Sequence, residues 1–179
     1  MDFSNIKSEF RKEIVRGGEA YLDGQVKIAT SADSRASSLA AMYTAATTAL
    51  MAGGVIAIFN AAGPQLHERV PLILGGACAA VFFLIGAITC VTAIQPVGFY
   101  LPGCHPQNWD DDVKAGRELD DCLGERADHI QRHINYNSEI IARNANRFKW
   151  GTRAGMSAPI FGLLAWEAAK YFEVAKYLS

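Results

Sequence analysis

The sequence predicts an all-α membrane protein with two long transmembrane helices, a short third span and a long cytosolic helical region of the coiled-coil type. Half of the 179 residues are hydrophobic. No Asp, Glu, Lys, Arg or His lies between Arg35 and His67, or between Arg69 and His105. At about 1.5 Å per residue, each stretch can cross a hydrocarbon core of about 30 Å as a helix. Elsewhere, apolar residues recur at the spacing of amphipathic helices.

Composition and motifs exclude several other classes of protein. The formal net charge is −1, so the chain as a whole does not attract nucleic acid. The N-terminus lacks an apolar core after a basic start, and we expect no cleaved signal peptide. The four cysteines show no CxxC spacing, and the HExxH, GxSxG, Walker A and GxGxxG motifs do not occur. We therefore expect no enzyme, no cofactor and no metal site.

Residues 1–38 are predicted to form a cytosolic amphipathic helix that packs on a neighbouring helix. Six basic and six acidic residues give it a solvated face. The adjacent glycines Gly17 and Gly18 predict a break or kink within it. Its apolar face is formed by residues at helical spacings: Phe3, Ile6, Phe10, Ile14, Tyr21, Ile28 and Leu39.

Residues 39–97 are predicted to form a transmembrane hairpin with a short polar connector. The first span carries the hydroxyl groups of Thr44, Thr47 and Thr48. Small and hydroxylated residues let helices pack closely in lipid, so helix packing is one interpretation of these threonines. The sharper interpretation is a weakly polar pore lining. The second span has a stripe of small residues suited to close packing: Gly75, Gly76, Ala79, Ala80 and Gly86.

Residues 98–109 are predicted to be an interfacial loop, because their prolines and glycines are incompatible with a regular helix. Asp110, Asp111 and Asp112 then begin a helix, where carboxylates suit the free N–H groups and the dipole. A divalent-cation site is the alternative for these three residues.

Residues 110–150 are predicted to form one long cytosolic helix. Its apolar seam is close to a heptad repeat, and an Asn in such a seam can fix register and oligomer state. We expect the seam to hold an oligomer through seven residues: Leu119, Leu123, Ile130, Ile134, Asn137, Ile141 and Phe148. His129 and His133 have a spacing compatible with a metal, but no third ligand stands out, and an exposed pair is the preferred interpretation.

Basic residues gather toward the end of this helix, and no acidic residue lies between Glu139 and Glu167. One interpretation is a cluster that faces anionic lipid. The other is a site for an anion or a nucleotide-type ligand, although no glycine-rich phosphate loop accompanies it. The candidate ligand-binding residues are Arg132, His133, Arg143, Arg147, Lys149 and Arg153.

Residues 151–179 are predicted to form a third membrane or interfacial helix. Trp150 and Trp166 bracket about 24 Å of helix without an acidic residue. The later charges, among them Glu167 and Lys170, would each cost about 2.5–3.5 kcal/mol at mid-bilayer. The segment therefore either spans with its charged end in the aqueous phase or lies in the interface, and we favour spanning.

Basic residues also predict the orientation. Six precede the first span, one lies between the spans and eight lie between Cys104 and Ala154. The positive-inside rule then places the N-terminus in the cytoplasm.

Two spans, a small outer loop and a cytosolic helical region resemble the SLATT class of small membrane proteins of bacterial defence. Residues 21–25, 31–36 and 96–103, followed by Trp109, carry the resemblance, which covers residues 19 to 150. The effector of the Hailong system is a protein of this kind. The resemblance implies a homo-oligomer, such as a tetramer, in the bacterial inner membrane. It implies an ion channel of abortive infection that disrupts the membrane potential, gated by a nucleotide or oligonucleotide that a partner nucleotidyltransferase makes. The alternative is a non-conducting scaffold or accessory subunit that recruits a partner protein.

Overall fold

The computed structural model describes residues 8–60, 64–94 and 98–178, with residues 8, 64–68 and 173–178 described by their backbone only. Phe3, Ile6 and Pro96 of the sequence patterns lie outside the described residues. Within the described ranges the chain is helical and forms no strand, which confirms the all-α class. The elements are α1 (Ser8–Phe59), α2 (Pro64–Ala93), a 3-10 helix (Pro106–Trp109), α3 (Asp110–Lys114) and α4 (Leu119–Leu178).

Two of the described helices are long and apolar enough to cross a membrane by length and composition. The candidate spans fall within Glu9–Phe59 of α1 and Arg69–Ala93 of α2. They correspond to the two halves of the predicted hairpin.

The chain divides into two compact units. Unit 1 comprises Met1–Ala32 and Pro96–Arg143, and unit 2 comprises Asp33–Gln95 and Asn144–Ser179. Both α1 and α4 contribute residues to each unit. Each unit has its own kind of core.

Unit 1 has a core of ordinary apolar side chains between α1 and α4. Leu22 is fully buried, and Leu123, Ile130 and Ile140 are also buried. The predicted break at Gly17–Gly18 is wrong, because α1 continues through both glycines. A Cβ atom on Gly18 would lie 2.5 Å from Cγ2 of Ile130. Gly18 therefore serves close packing of the two helices.

Unit 2 has the opposite distribution of side chains. Its buried residues are mostly small, whereas large apolar side chains on α1, α2 and α4 are exposed. The exposed set in unit 2 includes Met51, Ile56, Phe59, Leu72, Leu84, Ile88, Met156, Ile160 and Leu163. Its buried set includes Ala36, Ala40, Ala79, Ala80, Ala87, Cys90 and Ala158.

The predicted long helix over residues 110–150 differs from the structure at both ends. The three aspartates lie in the first turn of the short α3, and Gly116 adopts a positive φ of 64° just after it. The N–H of Gly116 donates to the Val113 carbonyl, and the N–H of Arg117 donates to the Asp112 carbonyl at 3.1 Å. This pattern is a Schellman motif, which ends a helix at a left-handed glycine. The long helix α4 starts afterwards and continues past residue 150, so no boundary separates 110–150 from 151–179.

Candidate functional site

Within unit 2, α2 and the C-terminal part of α4 run antiparallel in backbone contact. A Cβ atom on Gly75 would lie 2.8 Å from the carbonyl oxygen of Gly162, and one on Gly86 would lie 3.0 Å from that of Gly151. Contacts this close exclude any side chain. Thr92 at the end of α2 accepts a hydrogen bond from Arg147 at 2.9 Å, which continues the same antiparallel register.

The α4 side of this contact is a repeat of small residues that the sequence analysis missed. Their spacings are 4, 3, 4, 3 and 4, which keep one narrow stripe facing α2. This spacing is visible in the sequence. The large apolar residues between the small ones indicate a membrane helix, and hydropathy alone does not show which face of it packs on α2. The stripe consists of Gly151, Gly155, Ala158, Gly162, Ala165 and Ala169.

Tyr43 of α1 fills the notch that Gly155 leaves. A Cβ atom on Gly155 would overlap the Tyr43 ring. The Tyr43 hydroxyl donates to the Thr152 carbonyl at 3.5 Å, and its ring lies 5.7 Å from that of Phe83. Phe148 packs against the same cluster. This aromatic contact joins α1 to the other two helices of unit 2.

The three threonines predicted to line a pore face different ways. Thr44 and Thr48 are exposed, and their hydroxyls donate to the carbonyls of Ala40 and Thr44 at 2.8 and 2.9 Å. Thr47 is half-buried, donates to its own helix at 2.8 Å and lies 3.5 Å from the Ala80 carbonyl of α2. Thr47 therefore contributes to helix packing, whereas Thr44 and Thr48 present a polar edge on the surface of unit 2.

The six candidate ligand residues fall in both units. In unit 1, Arg132 and Arg143 are exposed and the His133 ring stacks on Tyr100 with centroids 3.8 Å apart. In unit 2, Lys149 is exposed. Arg153 lies over the Trp150 ring at 5.5 Å, and Arg147 donates to Thr92 as described above. Neither unit by itself gathers the six into one pocket.

Most side chains of the predicted oligomer seam are buried or half-buried within the single chain. Leu123, Ile130 and Asn137 are buried within unit 1, and Ile134 and Ile141 are half-buried there. Leu119 is exposed, and Phe148 belongs to the core of unit 2. These side chains stabilise the single chain, and their role between chains stays a prediction.

Asn137 holds the Pro/Gly loop onto α4. Its Oδ1 accepts from the backbone N–H of Tyr100 at 3.0 Å, and its Nδ2 donates to the Tyr100 carbonyl at 2.9 Å. The amide is fully buried, so both of its polar ends are satisfied by one loop residue. Arg126 adds a bond to the carbonyl of Gly103 and an ion pair with Glu19 at 3.2 Å.

The environment of the stacked histidine in this clamp favours its neutral form. Burial lowers the pKa of His133 from its usual value of 6.5, and the nearby charges of Arg126, His129 and Arg132 lower it further. A second proton on His133 would therefore oppose the folded clamp.

Next to the clamp, unit 1 contains a polar cavity of about 200 Å³. Arg117 bridges two of the acidic residues beside it, at 2.8 Å from Asp112 and 2.5 Å from Glu125. This pairing lowers the pKa of Glu125, chiefly through the hydrogen bond to Arg117. Burial raises the pKa of the Cys122 thiol. The lining residues are Cys104, Asn108, Trp109, Asp112, Cys122, Glu125, Arg126 and His129.

This cavity can hold a small polar molecule. Its lining includes both a cation, Arg126, and the carboxylates of Asp112 and Glu125. Among the described residues, no group of three or more His, Cys, Asp or Glu side chains could hold a metal ion. The predicted His129–His133 pair has its ring centroids 6.3 Å apart. The sequence analysis missed the cavity because residues 104–112 and 122–129 belong to different elements, and sequence pattern does not show that the two stretches face each other.

No protein-family model matches the chain, and neither a curated protein nor a solved structure matches it.

Proposed function

We propose that unit 2 lies in the bilayer as three helices, formed by the end of α1, by α2 and by the end of α4. The inverted side-chain distribution of unit 2 carries this proposal. In lipid, helices associate through small residues that let their backbones meet, and large apolar side chains face the acyl chains. The Gly75–Gly162 and Gly86–Gly151 contacts have this character. In water, the same surface would be a very large exposed apolar patch.

The third helix suits this placement although its end is charged. Met156, Ile160 and Leu163 are exposed on α4 before Trp166. Beyond Trp166, Lys170 lies 4.4 Å from its ring centroid and 3.4 Å from Glu167. A Trp beside a Lys at the end of an apolar helix is typical of a membrane interface, so this end need not enter the hydrocarbon core.

We propose further that copies of the chain conduct ions across the membrane. The helices of unit 2 meet through small residues and the space that they leave is lined by apolar groups, so a water path would lie between copies. Thr44 and Thr48 form the polar edge that supports this location. A modest polar stripe combined with apolar constrictions is sufficient for a gated pore. Unit 1 would then control the gate, and the resemblance to SLATT proteins makes nucleotide-type second messengers the first ligands to test.

Ion flux from liposomes tests conduction directly. Thr44→Val with Thr48→Val should lower the flux about tenfold or more, because an apolar lining raises the barrier to wetting. Thr89→Val is the matched control, since Thr89 lies in unit 2 on α2 and has the same bond to its own helix, at 2.7 Å. Equal flux in both variants, or none in the wild type with nucleotide ligands present, would contradict the proposal.

A scaffold is the second candidate, and one surface favours it. Phe10, Tyr21 and Ile28 are all more than half exposed on α1 of unit 1. Their spacings of 11 and 7 place them on one face of the helix. Exposed aromatic and aliphatic side chains on a polar helix are typical of a protein contact. The scaffold would be supported if the wild-type chain never conducts and a protein that binds it no longer binds the Tyr21→Ser variant.

A further inference from the structure

We propose that unit 2 contains a binding site for one anionic phospholipid, with an acyl chain between its helices and the phosphate at a cationic rim. The inference rests on the proposed placement of unit 2 in the bilayer. Its other support is a cavity, a set of glycines and two cations that the proposed conduction does not use.

The cavity measures about 650 Å³ and opens to the surface of unit 2. All three helices contribute to its walls: Leu50 and Ala57 from α1, Leu72 from α2, and Leu163 and Trp166 from α4. Its lining is almost entirely apolar. A volume and lining of this kind suit a flexible hydrocarbon chain.

Glycines line this cavity, and three of them lie where no other helix packs against them. Gly75 and Gly162 line its floor, where α2 and α4 meet. Gly53, Gly54 and Gly76 also line it, yet a Cβ atom on any of these three would meet nothing within 4 Å. Membrane helices use glycine where another group approaches closely. Within unit 2, no described side chain is that group, so an external occupant fits the space.

Both cations lie at one end of the cavity. Arg69 donates to the carbonyl of Ala57 at 3.4 Å, and Ala57 lines the cavity. Lys170 lies over the ring of Trp166, which also lines it. Glu167 lies beside Lys170 at 3.4 Å and offsets part of its charge. An apolar cavity with a basic rim is complementary to a lipid that has a negative phosphate and no compensating cation.

Fluorescence quenching of Trp166 by brominated lipids tests the site in the full chain. Trp109→Phe and Trp150→Phe leave Trp166 as the reporter, and the protein is placed in vesicles with brominated phosphatidylglycerol or brominated phosphatidylcholine. We expect half-maximal quenching at a fraction of brominated phosphatidylglycerol about fivefold lower than that of brominated phosphatidylcholine. One basic residue near an anionic lipid provides an affinity gain of this size. Arg69→Gln with Lys170→Gln should abolish the preference.

Two further variants separate charge from space. Gly76→Leu fills the cavity, keeps both cations and should weaken quenching by both lipids. Arg153→Gln removes a cation of unit 2 that lies over Trp150, and the preference should survive. Equal quenching by the two lipids in the reporter protein without further substitutions would overturn the lipid site and leave the membrane placement intact. No quenching of Trp166 by either brominated lipid would overturn both the lipid site and the membrane placement.

Discussion

The two units solve the packing of the same two long helices in opposite ways. Unit 1 buries large apolar side chains such as Leu22, Ile130 and Ile140, and its buried Asn137 is hydrogen-bonded at both polar ends, as in a protein core in water. Unit 2 buries alanine and glycine and exposes its Ile, Leu, Met and Phe side chains. In water, burial of large apolar groups stabilises a core, whereas in lipid the gain comes from close backbone contact. This difference is the basis of the proposed placement of unit 2 in lipid.

The largest expected effect comes from truncating equivalent leucines in the two units. Leu22→Ala should lower the free energy of unfolding by about 3 kcal/mol, since the side chain is 0 % exposed and its removal leaves a cavity. Leu163→Ala, at 60 % exposed, should change it by less than about 0.5 kcal/mol in detergent micelles. Denaturant titration of both variants checks this, and equal losses would contradict the proposed difference of environment.

A side chain at Gly155 should damage unit 2 nearly as much. Gly155→Val would overlap the Tyr43 ring, and overpacking of this kind costs up to about 3 kcal/mol. Thermal unfolding in micelles should show a clearly lower Tm. Gly53→Val is the control, because a Cβ atom there meets nothing within 4 Å. A Tm for Gly155→Val equal to that of the control would show that the α1–α4 contact does not hold unit 2 together.

Loss of the loop clamp should have a smaller effect, confined to unit 1. Asn137→Ala removes both hydrogen bonds to Tyr100 and should cost about 2 kcal/mol. Hydrogen exchange at the Tyr100 amide should speed up strongly. Asn135→Ala, an exposed residue that bonds to Gln131 one turn away, should leave this exchange unchanged. If the Tyr100 amide stays protected in Asn137→Ala, another contact holds the loop.

The pH dependence of unit 1 should be the smallest effect. Because the folded pKa of His133 is lowered, its contribution to stability is complete above the unfolded value of about 6.5. It should decline as the pH falls below that value and level off below the folded pKa. Unfolding measurements between pH 5 and 8 should show this slope, and His133→Gln should reduce it. His105→Gln is the control and should retain it, because His133 is still present.

Several elements could be predicted from the sequence because they depend on local chemistry. The two charge-free stretches predict long apolar helices in any tertiary context, and the structure confirms both. The end of α3 at Gly116 is also a local signal, but the helical pattern on both sides of this glycine predicts one continuous helix. Gly18 was misread because a glycine in a helix marks either a break or a close contact. Only the position of Ile130 decides between the two.

The sequence by itself determined the helical class and the two stretches that can cross a membrane, because hydropathy and helix length are properties of consecutive residues. Tertiary structure alone decided which residues meet. It paired Asn137 with Tyr100, Gly155 with Tyr43 and Arg117 with the carboxylates of two different helices. It also assembled the polar cavity from two stretches of the chain and the apolar cavity from three helices. The contacts of Asn137 and Gly155 join residues far apart in sequence, and helical periodicity shows which face is apolar without showing what lies against it.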